Sequence, residues 1–91
     1  MPHTQHDSEK LKTRLARIRG QVDAVGRALD EGRECGDVLQ QVAAIRGAVT
    51  GLMAELLEGH VRGHLAADRV PAAERQRAAD DIVKVLRRYL R

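Results

Sequence analysis

Between Asp37 and Leu65 the sequence DVLQQVAAIRGAVTGLMAELLEGHVRGHL contains no proline. Apolar residues recur at Val38, Val42, Ile45, Val49, Leu52, Leu56 and Val61, which is helical spacing. The pattern predicts one continuous helix, on the order of 40 Å long at the usual rise per residue. In a chain of 91 residues, a helix of that length cannot bury itself against its own small neighbours. Its apolar surface needs a second copy or another partner.

The ends of this helix carry the chemistry. Cys35 sits just before its start, and His60 and His64 sit near its finish, one turn apart on one face. Along one helix Cys35 and His60 would stand about 37 Å apart, too far to share a site. Two copies packed antiparallel bring Cys35 of one chain beside His60 and His64 of the other. The crossing then falls near Ala48, within Gly47-Ala48-Val49-Thr50-Gly51, where small residues allow close backbone approach. The expectation is an antiparallel dimer with two symmetric Cys/His sites.

Composition agrees with an assembly. The only aromatic residue is Tyr89, so the core must be built from Leu, Val, Ile and Ala. A chain this short buries a limited fraction of its surface alone. A single cysteine excludes an intramolecular disulfide and fits a reducing compartment. No secretory signal and no apolar run of membrane length is present, which predicts a soluble cytoplasmic protein. The formal net charge of +3 permits an anionic partner such as DNA without demanding one.

The flanks read as helices too. Residues 1–8, MPHTQHDS, form a polar arm carrying Pro2, His3 and His6. Removal of Met1 would expose a secondary amine at Pro2. A first helix is expected from about Ser8 to Glu31, with Ser8 as N-cap, Glu9 in the first turn and Gly32 as the residue that ends it. Its apolar positions, Leu11, Leu15, Ile18, Val22, Val25 and Leu29, alternate by four and three as a heptad seam. Beside the seam runs a second line, Lys10, Arg14, Arg17 and Gln21. Such a face is commonly just solvated; the alternative is contact with phosphates. Arg46 interrupts the apolar register of the long helix and could pair with an acid or reach a phosphate.

Gly32-Arg33-Glu34-Cys35-Gly36 is a short connection and predicts a helical hairpin. A lone cysteine is most often a small buried apolar residue. Here polar and glycine neighbours argue against burial, and the helix N-terminus favours the thiolate. Residues 66–70 read as a brief loop, and Pro71 suits the first turn of a third helix carrying Ala78, Ile82, Val85, Leu86 and Tyr89 on or near one face.

Two chemistries are open to these residues. His3, Cys35, His60 and His64 would supply one thiolate and three nitrogens, a set suited to Ni(II) or Co(II), with Zn(II) also compatible. A histidine pair at this spacing is, taken alone, more often solvated surface than a ligand pair. Copper(I) would prefer a second thiolate. Alternatively, the Pro2 amine condenses with formaldehyde, losing water to give an iminium ion. The Cys35 thiolate then adds to its carbon and closes an N–CH2–S bridge. No phosphate-binding glycine loop, HExxH helix or nucleophile elbow is present, and nothing in the chain reads as an enzyme.

The segments RLARIRGQVDAV, EC-x3-LQQVAAIRGAVTGLMAELLEGH and VLRRYLR resemble the CsoR/RcnR/FrmR family of bacterial repressors over nearly the whole chain. The resemblance implies an all-α, three-helix protomer, an antiparallel four-helix-bundle dimer and a dimer of dimers. It implies binding to operator double-stranded DNA in the unliganded state, and release when an effector binds. Arg14, Arg17, Gln21 and Arg46 match positions that the family associates with DNA; Lys10 is added because it lies on the same line. Nickel and cobalt sensors of the family present His3, Cys35, His60 and His64. Formaldehyde sensors use Pro2 with Cys35, and often lack a histidine at position 64. This chain carries both sets, and His64 favours the metal.

Overall fold

The structure, a computed structural model, describes residues 8–89. Three α-helices account for most of them: α1 over Ser8–Asp30, α2 over Cys35–His60 and α3 over Ala72–Tyr89, with a π-helical turn over Val61–Leu65. No strand occurs among the described residues.

Each helix stops and starts where local chemistry dictates. Glu9 lies in the first turn of α1 and Arg27 in the last, both favourable to the helix dipole. The helix ends on Gly32, whose φ of 68° is the left-handed region that costs glycine least. The Gly32 amide donates to the Leu29 carbonyl at 3.1 Å, and the Arg33 amide donates to the Ala28 carbonyl at 2.9 Å. That pair of bonds is the Schellman arrangement, and it satisfies carbonyls the helix end would otherwise orphan.

Helix α2 begins two residues before the position expected from the periodicity. The Glu34 carbonyl accepts from the amides of Asp37 (3.0 Å) and Val38 (3.2 Å), so Glu34 is the cap residue and Cys35 opens the helix. At the far end the expected α-helix to Leu65 is replaced after His60 by the π turn, closed by the Ala66 amide donating to the Val61 carbonyl at 2.8 Å. A π turn has a wider ladder, with bonds five residues apart. Gly59, just before the turn, and Gly63, within it, stand on either side of His60 and carry no Cβ. Pro71 precedes α3 and its carbonyl accepts from Arg75 at 2.9 Å, a use of proline at a helix start where no amide donor is needed.

The chain divides into two compact units, with the boundary inside α2 between Ala54 and Glu55. In the first unit, the α1 seam splits. Leu11 and Ala28 are buried, Ile18 and Val25 are half-buried, and the other line of the seam stays open: Leu15, Val22 and Leu29 are exposed. On α2 of the same unit Leu39, Val42, Val49 and Met53 are exposed as well. At 63% exposure, Leu29 and Leu39 are among the most open large apolar side chains described. In the second unit the π turn packs against α3, Ala78 is buried at 3%, and Ile82 and Val85 are half-buried. Val83, Leu86 and Tyr89 are exposed. The fully buried hydrophobic residues described are thus Leu11, Ala28 and Ala78; the other apolar side chains described are half-buried or exposed.

Candidate functional site

The histidines His60 and His64 converge in the second unit. His60 closes α2 and His64 lies in the π turn, and their ring centroids stand 5.1 Å apart at 51°. Helix α3 engages both. The Nε2 of His60 donates to the Ala78 carbonyl at 3.1 Å, and the same nitrogen lies 3.8 Å from Oδ2 of Asp81. A carbonyl oxygen can only accept, so this contact places a proton on Nε2 of His60. His64 presents its other nitrogen, with Nδ1 3.4 Å from Oε2 of Glu74. Both imidazoles are partly buried, each at 24% side-chain exposure. Beside His64 lies a cleft of about 340 Å³, bounded by Gly63, Ala67, Asp68, Arg69, Val70, Pro71 and Glu74. Arg69 takes a φ of 63°, a strained value for a side-chain-bearing residue, within the short return to α3.

Glu74, Ala78 and Asp81 are the site residues that periodicity alone passes over. Spaced by four and three, they share one side of α3. The available signal is two acids on the helix side that otherwise carries Ala78, Ile82 and Val85. Without the tertiary pairing, they read as ordinary solvated charges.

Cys35 is an exposed, free thiol at the first position of α2. Among the described residues no cluster of three or more His, Cys, Asp or Glu side chains is arranged to hold a metal ion. His3 and Pro2 lie outside the described residues. The donor chemistry nonetheless suits a divalent ion of the Ni(II), Co(II) or Zn(II) type, because neutral imidazoles fixed on one nitrogen by a carbonyl or carboxylate are what such ions use.

The basic residues divide by face. Lys10 and Arg17 on α1 and Arg46 on α2 are exposed. Arg14 and Gln21 are half-buried instead. They stand fourteen and seven residues before Ala28, hence on its buried side of α1. The guanidinium of Arg14 lies over Gly51, where an added Cβ would stand 3.0 Å from Nη1. The amide Oε1 of Gln21 is buried without a hydrogen-bond partner. Gly51 therefore serves a contact between α1 and α2 within the chain, whereas at Gly47 the space is open.

The pattern that describes metal-sensitive transcriptional repressors matches residues 7–88. The chain belongs to that repressor family. It is 48% identical over 91 residues, the full length of both chains, to the transcriptional repressor RcnR of Salmonella paratyphi B. It is 52% identical, again over the full length of both, to an uncharacterised protein in the bioA 5′ region of Serratia marcescens. A solved structure, a Glu-to-His variant of the formaldehyde-responsive regulator FrmR from Salmonella enterica serovar Typhimurium, is 43% identical and superposes with a TM-score of 0.86. That match covers 97% of this chain and 99% of the other. The three-helix, all-α reading of the sequence and the repressor family it resembled are thereby shown. No helix among those described is long and apolar enough to cross a membrane.

Proposed function

We propose that this chain, as a dimer assembling further into a tetramer, represses transcription by binding operator DNA while unliganded, and releases it when Ni(II) or Co(II) binds. Cys35 of one subunit and His60 and His64 of another, with His3 of the N-terminal arm, form the effector site in this reading. The observation that carries it is the histidine pair: two imidazoles one turn apart, each oriented through one nitrogen by α3. A bound ion supplies a positive centre that draws a thiolate and imidazoles from different chains together. Cys35 and the histidines must lose their protons to take part, so release of DNA by metal weakens as the solution is acidified. The arm carries His3 and leads into α1, which carries Lys10, Arg14 and Arg17. Restraining the arm shifts the population away from the DNA-competent arrangement.

In this reading the exposed residues Lys10, Arg17 and Arg46 contact phosphates, and binding is expected to fall steeply with salt. Arg14 contributes from a fixed seat on Gly51. Substituting Gly51→Ala should leave the melting temperature unchanged or slightly raised, since alanine favours a helix over glycine by about 1 kcal/mol. The guanidinium of Arg14 must then swing off its seat, and operator affinity should drop several-fold, though by less than in Arg14→Ala. Thermal melts and fluorescence anisotropy on the same preparations check both halves.

The second reading is a formaldehyde sensor in which the Pro2 amine and Cys35 close a methylene bridge. The exposed thiol at the start of α2 favours it. Anisotropy of the protein on its own promoter fragment separates the two. Ni(II), Co(II) and formaldehyde are added in turn, to the parent and to His64→Ala. Release by metal that disappears in the variant supports the nickel/cobalt reading. Release by formaldehyde alone, unaffected by the variant, moves the sensor to Pro2 and Cys35.

A further inference from the structure

We propose that Glu74 is the positioning residue that holds His64 in its Nδ1–H tautomer, so that the lone pair lies on Nε2; the use made of that lone pair rests on the metal reading above. A carboxylate accepts hydrogen bonds and donates none when ionised, so an Oε2 that lies 3.4 Å from Nδ1 selects the proton on that nitrogen. The distance is at the loose end of hydrogen-bond range. The contact therefore acts through orientation and charge more than through bond strength. Which nitrogen of an imidazole is left to a ligand is set by the hydrogen bond the other one makes.

The local fold explains why this carboxylate is there. The π turn carries His64, and the six residues from Ala66 to Pro71, with Arg69 in the left-handed region, return the chain so that α3 begins beside it. Glu74 lies in the first turn of α3. Four residues later the Ala78 carbonyl takes the proton of His60, and Asp81 faces the same nitrogen. One side of α3 thus meets both rings, but at opposite nitrogens. His60 carries a proton on Nε2, far from the backbone. His64 carries one on Nδ1, near it.

The test reads the tautomer directly in metal-free protein. Long-range proton–nitrogen correlation spectra of uniformly 15N-labelled protein, recorded above the histidine titration range, distinguish protonated from unprotonated ring nitrogens. The parent should show His64 with Nδ1 protonated. Glu74→Ala should move the proton to Nε2. Glu74→Gln, whose amide oxygen still accepts, should keep it on Nδ1. Ni(II) affinity measured by competition with a chelator should fall by about 10- to 100-fold in Glu74→Ala, the usual effect of losing a ligand's hydrogen-bond partner, and by only a few-fold in Glu74→Gln. A parent spectrum with His64 protonated on Nε2, or one unchanged in Glu74→Ala, overturns the proposal. Equal metal losses in the alanine and glutamine variants would also overturn it, because they would make Glu74 a ligand. If the tautomer moves as stated but His64→Ala binds Ni(II) like the parent, the metal reading fails and the assignment of the proton stands.

Discussion

Placing aspartate at both Val42 and Val49 is expected to dissociate the assembly and abolish operator binding. In the first unit these two residues stand seven apart on α2 and are 48% and 45% exposed. Leu15, Val22 and Leu29 repeat the same interval on α1, and Leu39 and Met53 extend the line on α2. An exposed apolar stripe of this extent is rare on a soluble monomer and marks an interaction surface, the one that the proposed dimer would cover. Full burial of one such side chain is worth about 1.5–3 kcal/mol. In a symmetric interface every substitution counts twice, so four carboxylates would be brought into it, a desolvation cost that Arg46, four residues after position 42 and three before position 49 on the same face, offsets only in part. Every 1.4 kcal/mol or so is a factor of ten in the association constant, so assembly at micromolar concentration is lost. Sedimentation equilibrium should show a light species, and anisotropy should show no operator complex. Gln40→Asp is the control: its site is exposed on α2 but turned away from the stripe, and it should assemble and bind as the parent does. A double variant that stays assembled and binds DNA would show that the stripe is not the interface.

The sequence carried the helices because each level of the signal agreed. Heptad spacing set α1, Gly32 supplied the left-handed stop, and Pro71 marked the start of α3. The π turn was not legible in the periodicity. His60, Val61 and His64 fit an α-helical pattern equally well, and the wider turn lies where the chain packs against α3. The seam of α1 was legible as a line of apolar residues but not as two lines. Whether Leu11 or Leu15 faces the chain's own second helix depends on how the hairpin is rotated, which a heptad leaves open. The same rotation places Arg14 and Gln21 on the side of Ala28, so a basic line that looked uniform in the sequence is part seat and part surface. At the candidate site the histidines were legible because their spacing is itself a ligand pattern. Glu74 and Asp81 were not, because an acid on a helix says nothing about which ring it will meet until the turn at residues 66–71 has been made.

Cys35→Ala is expected to bind the operator within about threefold of the parent, since substitutions at exposed positions usually cost less than about 0.5 kcal/mol, and to be released by neither metal nor formaldehyde. The thiol is exposed at the first position of α2, so its removal opens no cavity and disturbs no core residue. Both proposed chemistries nevertheless pass through its sulfur. As a ligand, it supplies the one thiolate in a site otherwise made of nitrogens, and alanine offers no replacement. As a nucleophile it closes the bridge to Pro2, and without it the iminium ion returns to amine and formaldehyde by addition of water. Coupling between effector and DNA is typically worth about 1–3 kcal/mol, and an effector that no longer ties two chains together contributes none of it. The measurement is a titration of the preformed operator complex with Ni(II), Co(II) and formaldehyde, followed by anisotropy. Loss of all three responses would make the Cys35 thiol essential to the effector response. Undiminished release by a metal would remove the thiol from the site and leave the histidines, oriented by α3, to act without it.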